Sequence, residues 1–234
     1  MNFEFLIEDA SGKVMLEILL PKIIDTNTHS YRIFSYKGIG SIPKGLHTSQ
    51  DASKRALLNQ LPKLLSGYGR TFQYNQKENV VVLVCDLDNK NKTVFLNELN
   101  GVLSKCKPSP QVCFCLAIEE CEAWLLGDKD AIKKAYPKAK ENILLNYKND
   151  SICGTWELLA DAIYAGGSVK LKKIGFIEIG LQKTIWAKTI CPHIDVNRNK
   201  SPSFNYFKQC IQEYTENNFQ GKAAYRSTFL NKRS

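Results

Sequence analysis

Acidic residues follow three separate apolar runs in this chain, each typical of a buried strand. The runs are NFEFLI (2–7), VVVLVC (80–85) and QVCFCLAI (111–118), and the acids are Glu8 and Asp9, Asp86 and Asp88, and Glu119, Glu120 and Glu122. Carboxylates brought to one place repel each other unless a cation neutralises them, and hard oxygen ligands suit Mg²⁺ or Mn²⁺. The residue types therefore predict a divalent metal site.

The elements around these runs predict an α/β fold that would bring the acids together. Apolar residues at helical spacing fill the segments between the strands, and YRIFSY (31–36) adds a fourth strand. Strands that alternate with helices form a parallel sheet, whose functional groups gather at the carboxyl ends of the strands. We predict a mostly parallel, Rossmann-like sheet flanked by helices. The predicted metal ligands are Glu8, Asp86, Asp88, Glu120 and Glu122.

A purely structural role for these acids is the alternative. Aspartate often ends a strand or caps the following helix, so the sequence DLD (86–88) alone favours neither interpretation. Asp9 is expected to be a turn residue, and helical geometry requires that some of the three glutamates after the last strand face solvent. The acids after the other strands favour metal ligation, with Glu8, Asp86 and Asp88 as catalytic residues.

The excess of basic residues lies in the second half of the chain. Residues 1–128 hold 14 Lys+Arg and 14 Asp+Glu, whereas residues 129–234 hold 18 and 9, which accounts for the whole net charge of +9. We predict an α/β core over 1–128 and a basic, mainly helical part over 129–234 that packs on it. Clustered cations with interleaved aromatic residues fit contact with a nucleic-acid backbone, although an ordinary solvated surface has the same composition.

Two groups of lysines are candidates for phosphate contact. Lys37 and Lys44 lie in the glycine-rich loop YKGIGSIPKGL (36–46), from which both could reach a phosphate bound at the edge that carries the acids, Lys44 as a catalytic residue and Lys37 as a nucleic-acid contact. Lysines in such a loop are also commonly just solvated. The second group, predicted to bind nucleic acid, is Lys170, Lys172 and Lys173.

The segment RNKSPSF (198–204) has the pattern of a helix start. Ser201 fits the N-cap position and Pro202 the first helical position, with Phe204, Phe207 and Ile211 on one face of the helix that follows. The amide-rich start of that helix, with Arg198 beside it, can bind a phosphate. A plain helix cap docked on the core is an equally good interpretation of Ser201.

Three segments resemble the acidic motifs of the topoisomerase-primase (TOPRIM) fold: FLIEDASGKVMLEILL (5–20), VVVLVCDLDN (80–89) and AIEECEAWLLGD (117–128). The glycine-rich loop and RNKSPSF are similar to segments of an uncharacterised TOPRIM-like bacterial family that has an EAW helix start and an RNxSPSF motif. The resemblance therefore covers most of the chain.

This resemblance implies a metal-dependent nuclease centre, as in the overcoming-lysogenisation-defect nucleases. Glu8 matches the first glutamate of the family pattern, Asp86 and Asp88 the DxD pair, and Glu120 and Glu122 the acids before the tryptophan. One departure is that Asp9 stands where the family usually has glycine. Related TOPRIM proteins are often encoded beside an ATPase in anti-phage loci. The resemblance thus implies an effector of anti-phage defence with Mg²⁺ or Mn²⁺ as cofactor and an ATPase as partner protein.

These inferences predict the binding partners of the protein, and the sequence leaves two alternative functions open. Nucleic acid is the expected substrate, whether DNA or RNA, transfer RNA included, and a homodimer is a further expectation. A catalytically silent TOPRIM-like module that binds a partner protein or nucleic acid is the main alternative. A phosphoacceptor receiver domain has a similar first motif, but the separation of Glu8 from Asp86 is long for that fold.

The remaining sequence features concern compartment and redox state. No stretch reaches the roughly 18 apolar residues of a membrane span, and MNFEFLIEDASGK carries acids where a secretory signal carries basic residues. We expect a cytoplasmic protein without a membrane partner. The eight cysteines lack CxxC spacing and are expected to be buried, reduced thiols.

Overall fold

A four-stranded parallel sheet forms the centre of the protein. The computed structural model describes residues 1–38, 40–42, 56–151 and 154–216, and every structural statement refers to these ranges. The strands are β1 (Asn2–Ile7), β2 (Ser30–Ser35), β3 (Asn79–Asp86) and β4 (Val112–Ala117). Their order across the sheet is β2-β1-β3-β4, and all three neighbouring pairs are parallel. The predicted α/β class with a parallel sheet is confirmed.

Helices connect the strands, and the described chain after β4 is helical. The helices are α1 (Ala10–Leu19), α2 (Leu57–Phe72), α3 (Lys92–Ser104), α4 (Glu122–Leu126), α5 (Lys129–Ala135), α6 (Glu141–Asn146), α7 (Thr155–Ile163), α8 (Gly167–Ile174), α9 (Phe176–Ile190) and α10 (Pro202–Glu216). No described helix has the length and apolar character needed to cross a lipid bilayer.

The sheet is covered on both faces, which explains the unbroken apolar run in β3. Alternate residues of a strand point to opposite faces, and here Val82 and Val84 join one hydrophobic cluster whereas Leu83 and Cys85 join the other. All of these side chains are buried. A strand buried on both faces needs apolar residues at every position, as is usual in parallel sheets.

The basic second half shares the hydrophobic core of the first. Trp124 of α4 packs against Phe207 of α10, with ring centroids 4.8 Å apart, and Phe5 of β1 lies 6.1 Å from the same ring. Phe204, Phe207 and Ile211 are fully buried on one face of α10, as the sequence pattern predicted. Residues from the α/β part and the helical part thus belong to one cluster.

The cysteines differ in part from the expectation of reduced thiols. Cys113 on β4 and Cys210 on α10 are joined by a disulfide, and the Cys115 sulfur lies 3.5 Å from that of Cys113. The other described cysteines are free and buried. The prediction was wrong for Cys113 and Cys210 because 97 positions separate them in the sequence, and only the packing of α10 on β4 brings them together.

Candidate functional site

Glu8 and Asp86 meet where β1 and β3 end. Ile7 pairs with Val84 in the parallel register, so the residues after each strand emerge side by side. The Glu8 carboxylate accepts a hydrogen bond from the backbone N–H of Asp86 at 3.2 Å. Strand order reverses between β1 and β3, since β2 lies on one side and β4 on the other. Such a switch point is where ligands bind in open α/β sheets.

Asp86 is a buried carboxylate that holds the turn after β4. Its Oδ1 atom accepts a hydrogen bond from the backbone N–H of Cys121 at 3.1 Å. Burial, with the charge of Glu8 beside it, raises the Asp86 pKa well above the usual value. Burial also raises the Glu8 pKa to about 7, and the negative charges of Asp9 and Asp88 act in the same direction. The two strand ends therefore hold carboxyl groups that resist ionisation.

Lys183 of α9 is the cation that balances the glutamates after β4. Its Nζ atom lies 3.0 Å from Glu122 Oε2 and 3.5 Å from Glu120 Oε1. Burial alone would lower the Lys183 pKa. The negative charges of Glu122, Glu120 and Asp86 have the larger effect and raise this pKa well above its usual value. Lys183 is therefore held in the charged form.

The two glutamates paired with Lys183 still carry raised pKa values. Burial raises the Glu120 pKa to about 7, and the charge of Glu122 adds to the effect. Glu122 is 1% exposed, and burial raises its pKa despite the ion pair with Lys183. One ammonium group thus faces more carboxylates than it neutralises. We name Glu8, Asp86, Glu120, Glu122 and Lys183 the acidic centre.

Asp88 lies at the rim of the acidic centre. It has a backbone φ of 48°, an uncommon value for aspartate, and its carboxylate is paired with Lys90 at 2.7 Å. Its backbone N–H donates to the Glu119 carbonyl at 3.1 Å, which ties the end of β3 to the turn after β4. The exposed carboxylate is close enough to contribute to the raised pKa of Glu8.

Glu119 and Asp9 have structural roles. The Glu119 carboxylate accepts hydrogen bonds from the backbone N–H groups of Gly154 and Thr155, at the start of α7. Asp9 is the N-cap of α1 and accepts from the Gly12 N–H at 2.7 Å, in line with its predicted place in a turn. Glu119 and Glu120 are partly exposed and Glu122 is buried, because the turn folds back under α7 and α9.

Lys37 lies at the sheet edge where β1 ends, and Lys44 lies outside the described residues. The Gly38 N–H donates to the Glu8 carbonyl at 3.1 Å, which holds the start of the glycine-rich loop against the end of β1. Lys37 precedes this contact and is exposed. It is therefore placed on the same edge of the sheet as Glu8.

The lysines of α8 lie on the protein surface. Lys170, Lys172 and Lys173 are exposed. Lys172 pairs with Glu157 at 3.1 Å and lies over the Trp156 ring. The cluster is thus accessible to an anionic partner, with part of its charge already balanced.

Ser201 is buried and caps α10, so the structure agrees with the plain helix cap and not with contact to nucleic acid. Its hydroxyl oxygen accepts from the Phe204 N–H at 3.2 Å and donates to an Asp150 carboxylate oxygen at 2.9 Å. That carboxylate already occupies the amide-rich helix start, because its second oxygen accepts from the Ser203 N–H. Arg198 is exposed and pairs loosely with Asp130 at 3.5 Å.

The donor atoms of the acidic centre do not form a closed set of metal ligands. In the described part of the chain, the one group of three or more His, Cys, Asp or Glu whose donor atoms lie within 4.8 Å of one another is Cys113, Cys115 and Cys210. The carboxylates share a sheet edge, but no three of these residues offer oxygens that close together. Their hard oxygen donors nevertheless fit Mg²⁺ or Mn²⁺, whereas three sulfurs do not.

Sequence reasoning missed Lys183, although a signal was present. Lys183 falls on the same face of α9 as Ile179, Trp186 and Ile190, all of which are buried. A lysine on a buried helix face needs an anionic partner, because lysine is almost never fully buried unpaired. That pattern predicts a buried ion pair but does not identify the carboxylate that forms it.

The chain belongs to a protein family described as a domain of unknown function, DUF4276, whose family model matches residues 7–212. The matched range contains the whole acidic centre and most of α10. No curated protein and no solved structure matches the chain.

Proposed function

We propose that this protein is a metal-dependent phosphodiesterase of nuclease type, with its reacting centre at the ends of β1 and β3. One observation carries the proposal: four carboxyl groups with raised pKa values face a single lysine ammonium group at a topological switch point. Such crowding weakens the fold, and strongly perturbed carboxyl groups in one place are typical of functional sites.

The carboxylates that Lys183 does not contact are the proposed metal ligands, namely Glu8, Asp86 and Asp88. Asp88 is paired with Lys90 and would exchange that lysine for the metal ion. A bound Mg²⁺ or Mn²⁺ would activate water and stabilise the leaving oxygen of a phosphodiester. Glu120 and Glu122 would not bind the metal directly. Their ion pairs with Lys183 would hold that lysine, and the two glutamates themselves, beside Asp86.

Glu8 is the proposed general base. In the metal-free protein the pKa of Glu8 is about 7, and a bound metal ion would lower it, so the carboxyl group would be ionised at neutral pH and able to accept a proton. Through the oxygen that does not hold the metal, Glu8 would take a proton from the attacking water as the new P–O bond forms and the ester P–O bond breaks, and the leaving oxygen would be protonated from solvent. Lys37, exposed at the same edge, would contact a phosphate oxygen.

Nucleic acid is the proposed substrate class, whether DNA or RNA, transfer RNA included. The exposed lysines of α8 support this proposal because clustered surface cations strengthen binding to the phosphate backbone. The resemblance to the TOPRIM fold extends the proposal to a cytoplasmic effector of anti-phage defence that acts with an ATPase partner.

A catalytically silent binding module is the second candidate, and one observation favours it. Lys183 already supplies a positive charge inside the acidic centre, and no three carboxylate residues of the described chain offer oxygens that all lie within 4.8 Å of one another. An internal ammonium group can replace a metal ion structurally without supporting catalysis. The protein would then bind nucleic acid or a partner protein and cleave nothing.

A cleavage assay separates the two candidates. Purified protein, with and without the ATPase partner, is incubated with plasmid DNA, single-stranded DNA and transfer RNA in Mg²⁺ or Mn²⁺. The phosphodiesterase proposal predicts metal-dependent cleavage that Asp86→Asn and Glu8→Gln abolish. Glu98→Gln, an exposed change on α3, is the matched control and should retain full activity. Absence of cleavage on all substrates, with the ATPase present, would support the silent module instead.

Binding measured in the same samples tests the role of the α8 lysines. Charge reversal of Lys170, Lys172 and Lys173 should weaken binding at low salt, and binding should fall steeply as salt increases. Asp88→Ala should leave affinity unchanged or slightly higher, since it removes an anion near the proposed phosphate position, while it lowers cleavage. Loss of binding without any salt dependence would argue against backbone contact by these lysines.

A further inference from the structure

The corner between α8 and α9 exposes large apolar side chains. Phe176 and Ile177 are 92% and 93% exposed, and Ile174 at the end of α8 is 54% exposed. Gly175 turns the chain between the two helices with a φ of 119°, a value that residues with a side chain rarely adopt. Single exposed apolar residues are common on proteins, but a contiguous group of them usually marks a binding site. The Phe176 ring is therefore free to contact a partner molecule.

The same surface is positively charged. Residues 162–177 contain three lysines, Lys170, Lys172 and Lys173, and no Asp or Glu. All three lysines are exposed. Lys172 is paired with Glu157, whereas Lys170 and Lys173 form no salt bridge within the described part of the chain. The partner that this charge favours is an anion.

Two further aromatic rings lie beside these lysines. The Lys170 Nζ atom is 5.9 Å from the centroid of the Tyr164 ring, and the Lys172 Nζ atom is 5.5 Å from that of the Trp156 ring. Both rings are partly exposed. Proteins bind single strands of nucleic acid through cations that contact the phosphates and aromatic rings on which the bases stack. We name the following residues the stacking surface: Trp156, Tyr164, Lys170, Lys172, Lys173 and Phe176.

The stacking surface is connected to the acidic centre through α7 and α9. The Thr155 hydroxyl, directly before Trp156, donates a hydrogen bond to Glu120 at 3.4 Å. On α9, Lys183 follows Phe176 by seven residues and lies on nearly the same side of the helix, because seven residues make almost two turns. The two positions are about 10 Å apart along the helix axis, which is the length of about three stacked nucleotides. A strand bound at Phe176 is thus long enough to reach the acidic centre.

We propose that the stacking surface binds single-stranded nucleic acid, with an unpaired base stacked on the Phe176 ring. A base within a duplex has both faces covered by its neighbours, so only an unpaired base is free to stack on a protein ring. The inference rests on the nucleic-acid substrate proposed above and narrows it to single strands and unpaired loops, but it does not require cleavage. A lipid surface fits less well, because a helix that binds lipid presents a continuous apolar face, whereas here lysines lie between the rings.

Fluorescence anisotropy in EDTA measures binding without cleavage. The wild-type chain should bind a labelled single-stranded oligonucleotide more tightly than the same sequence as a duplex. Phe176→Ala should weaken single-strand binding by at least about fivefold, through loss of one stacked base, and leave duplex binding nearly unchanged. Tyr74→Ala, a change at an 88% exposed ring that precedes β3 and so lies at the opposite edge of the sheet, is the matched control and should bind like the wild type. Equal single-strand affinity of the wild type and Phe176→Ala would overturn the inference.

Two more substitutions at Phe176 separate stacking from simple apolar contact. Phe176→Tyr keeps a flat ring and should bind the single strand like the wild type. Phe176→Leu is apolar but has no flat face for a base, so its affinity should fall towards that of Phe176→Ala. Equal affinities of the Tyr and Leu variants would contradict stacking. The same would follow if Phe176→Ala lost binding to vesicles that contain phosphatidylserine and kept its binding to the oligonucleotide.

The binding data also distinguish this inference from the proposed enzymatic function. Single-strand binding that depends on Phe176, together with no cleavage of any substrate in Mg²⁺ or Mn²⁺, would refute the phosphodiesterase and support the stacking surface. Cleavage that Phe176→Ala leaves unchanged, with unchanged single-strand affinity, would do the reverse. A chain that binds neither the single strand nor the duplex would overturn both.

Discussion

Replacing Lys183 with methionine should destabilise the protein strongly at neutral pH and weakly in acid. Glu122 is 1% exposed, so Lys183→Met leaves a buried carboxylate without its cation. Breaking one side of a buried ion pair costs about 3–5 kcal/mol, but Glu122 can avoid part of this cost by taking up a proton. From its ordinary pKa of 4.5, protonation costs about 4 kcal/mol at pH 7.5 and about 1.4 kcal/mol at pH 5.5.

We therefore expect Lys183→Met to lose about 3–4 kcal/mol of unfolding free energy at pH 7.5 and at most about 1.5 kcal/mol at pH 5.5. Urea titration followed by tryptophan fluorescence measures both values. Lys188→Met, an exposed change on the same helix, should cost within about 0.5 kcal/mol, and Glu122→Gln combined with Lys183→Met should recover most of the loss. Equal stability of the Lys183 and Lys188 variants at pH 7.5, or a loss as large at pH 5.5, would refute the buried-ion-pair reasoning.

Three further predictions concern pH, the crowding of carboxylates and the cap of α10. The pKa values of Glu8 and Glu120 are raised from 4.5 to about 7, so the folded protein binds protons more tightly at these groups than the unfolded chain does. Their contribution to the metal-free melting temperature should therefore be largest below about pH 4.5 and fall as pH rises to about 7. A melting temperature that rises over this window would contradict the shifts. Asp86→Asn removes the charge of one crowded carboxylate, while its Oδ1 can still accept from the Cys121 N–H, so it should raise the metal-free melting temperature and abolish cleavage. A marked loss of stability would show that repulsion among these carboxylates does not weaken the fold. Ser201→Ala should cost about 0.5–2 kcal/mol of unfolding free energy through loss of the α10 cap, and it should leave nucleic-acid affinity unchanged. Weaker binding by a stably folded variant would show that Ser201 contacts nucleic acid.

The fold and the strand-end acids could be predicted because their signals are local. An apolar run such as that of β3, between helical segments, indicates a strand buried on both faces, and parallel strands place their following residues at one edge. The contact of Glu8 with Asp86 confirms that part of the prediction. The helix cap at Ser201 could also be inferred from the sequence, because its pattern is local: a serine, then a proline, then apolar residues on one helix face.

The rest of the candidate site depends on contacts between distant residues. Lys183 enters the acidic centre only because α9 packs against α1 and α4. Glu119 turns away from its neighbours because its backbone φ of 64° directs the carboxylate to the start of α7, which lies more than thirty positions later in the chain. Neither spacing nor composition encodes these pairings, since each depends on how helices of the second half pack onto the sheet.

Crystals soaked in Mn²⁺ above pH 7, where Glu8 is mostly ionised, provide the most direct test of the central claim. Anomalous diffraction locates manganese independently of any activity. The proposal predicts a manganese ion bonded to carboxylate oxygens of Glu8 and Asp86 at about 2 Å, with Asp88 turned from Lys90 towards it. An acidic centre that binds no manganese under these conditions, with Lys183 still paired to Glu120 and Glu122, would contradict the metal-dependent mechanism.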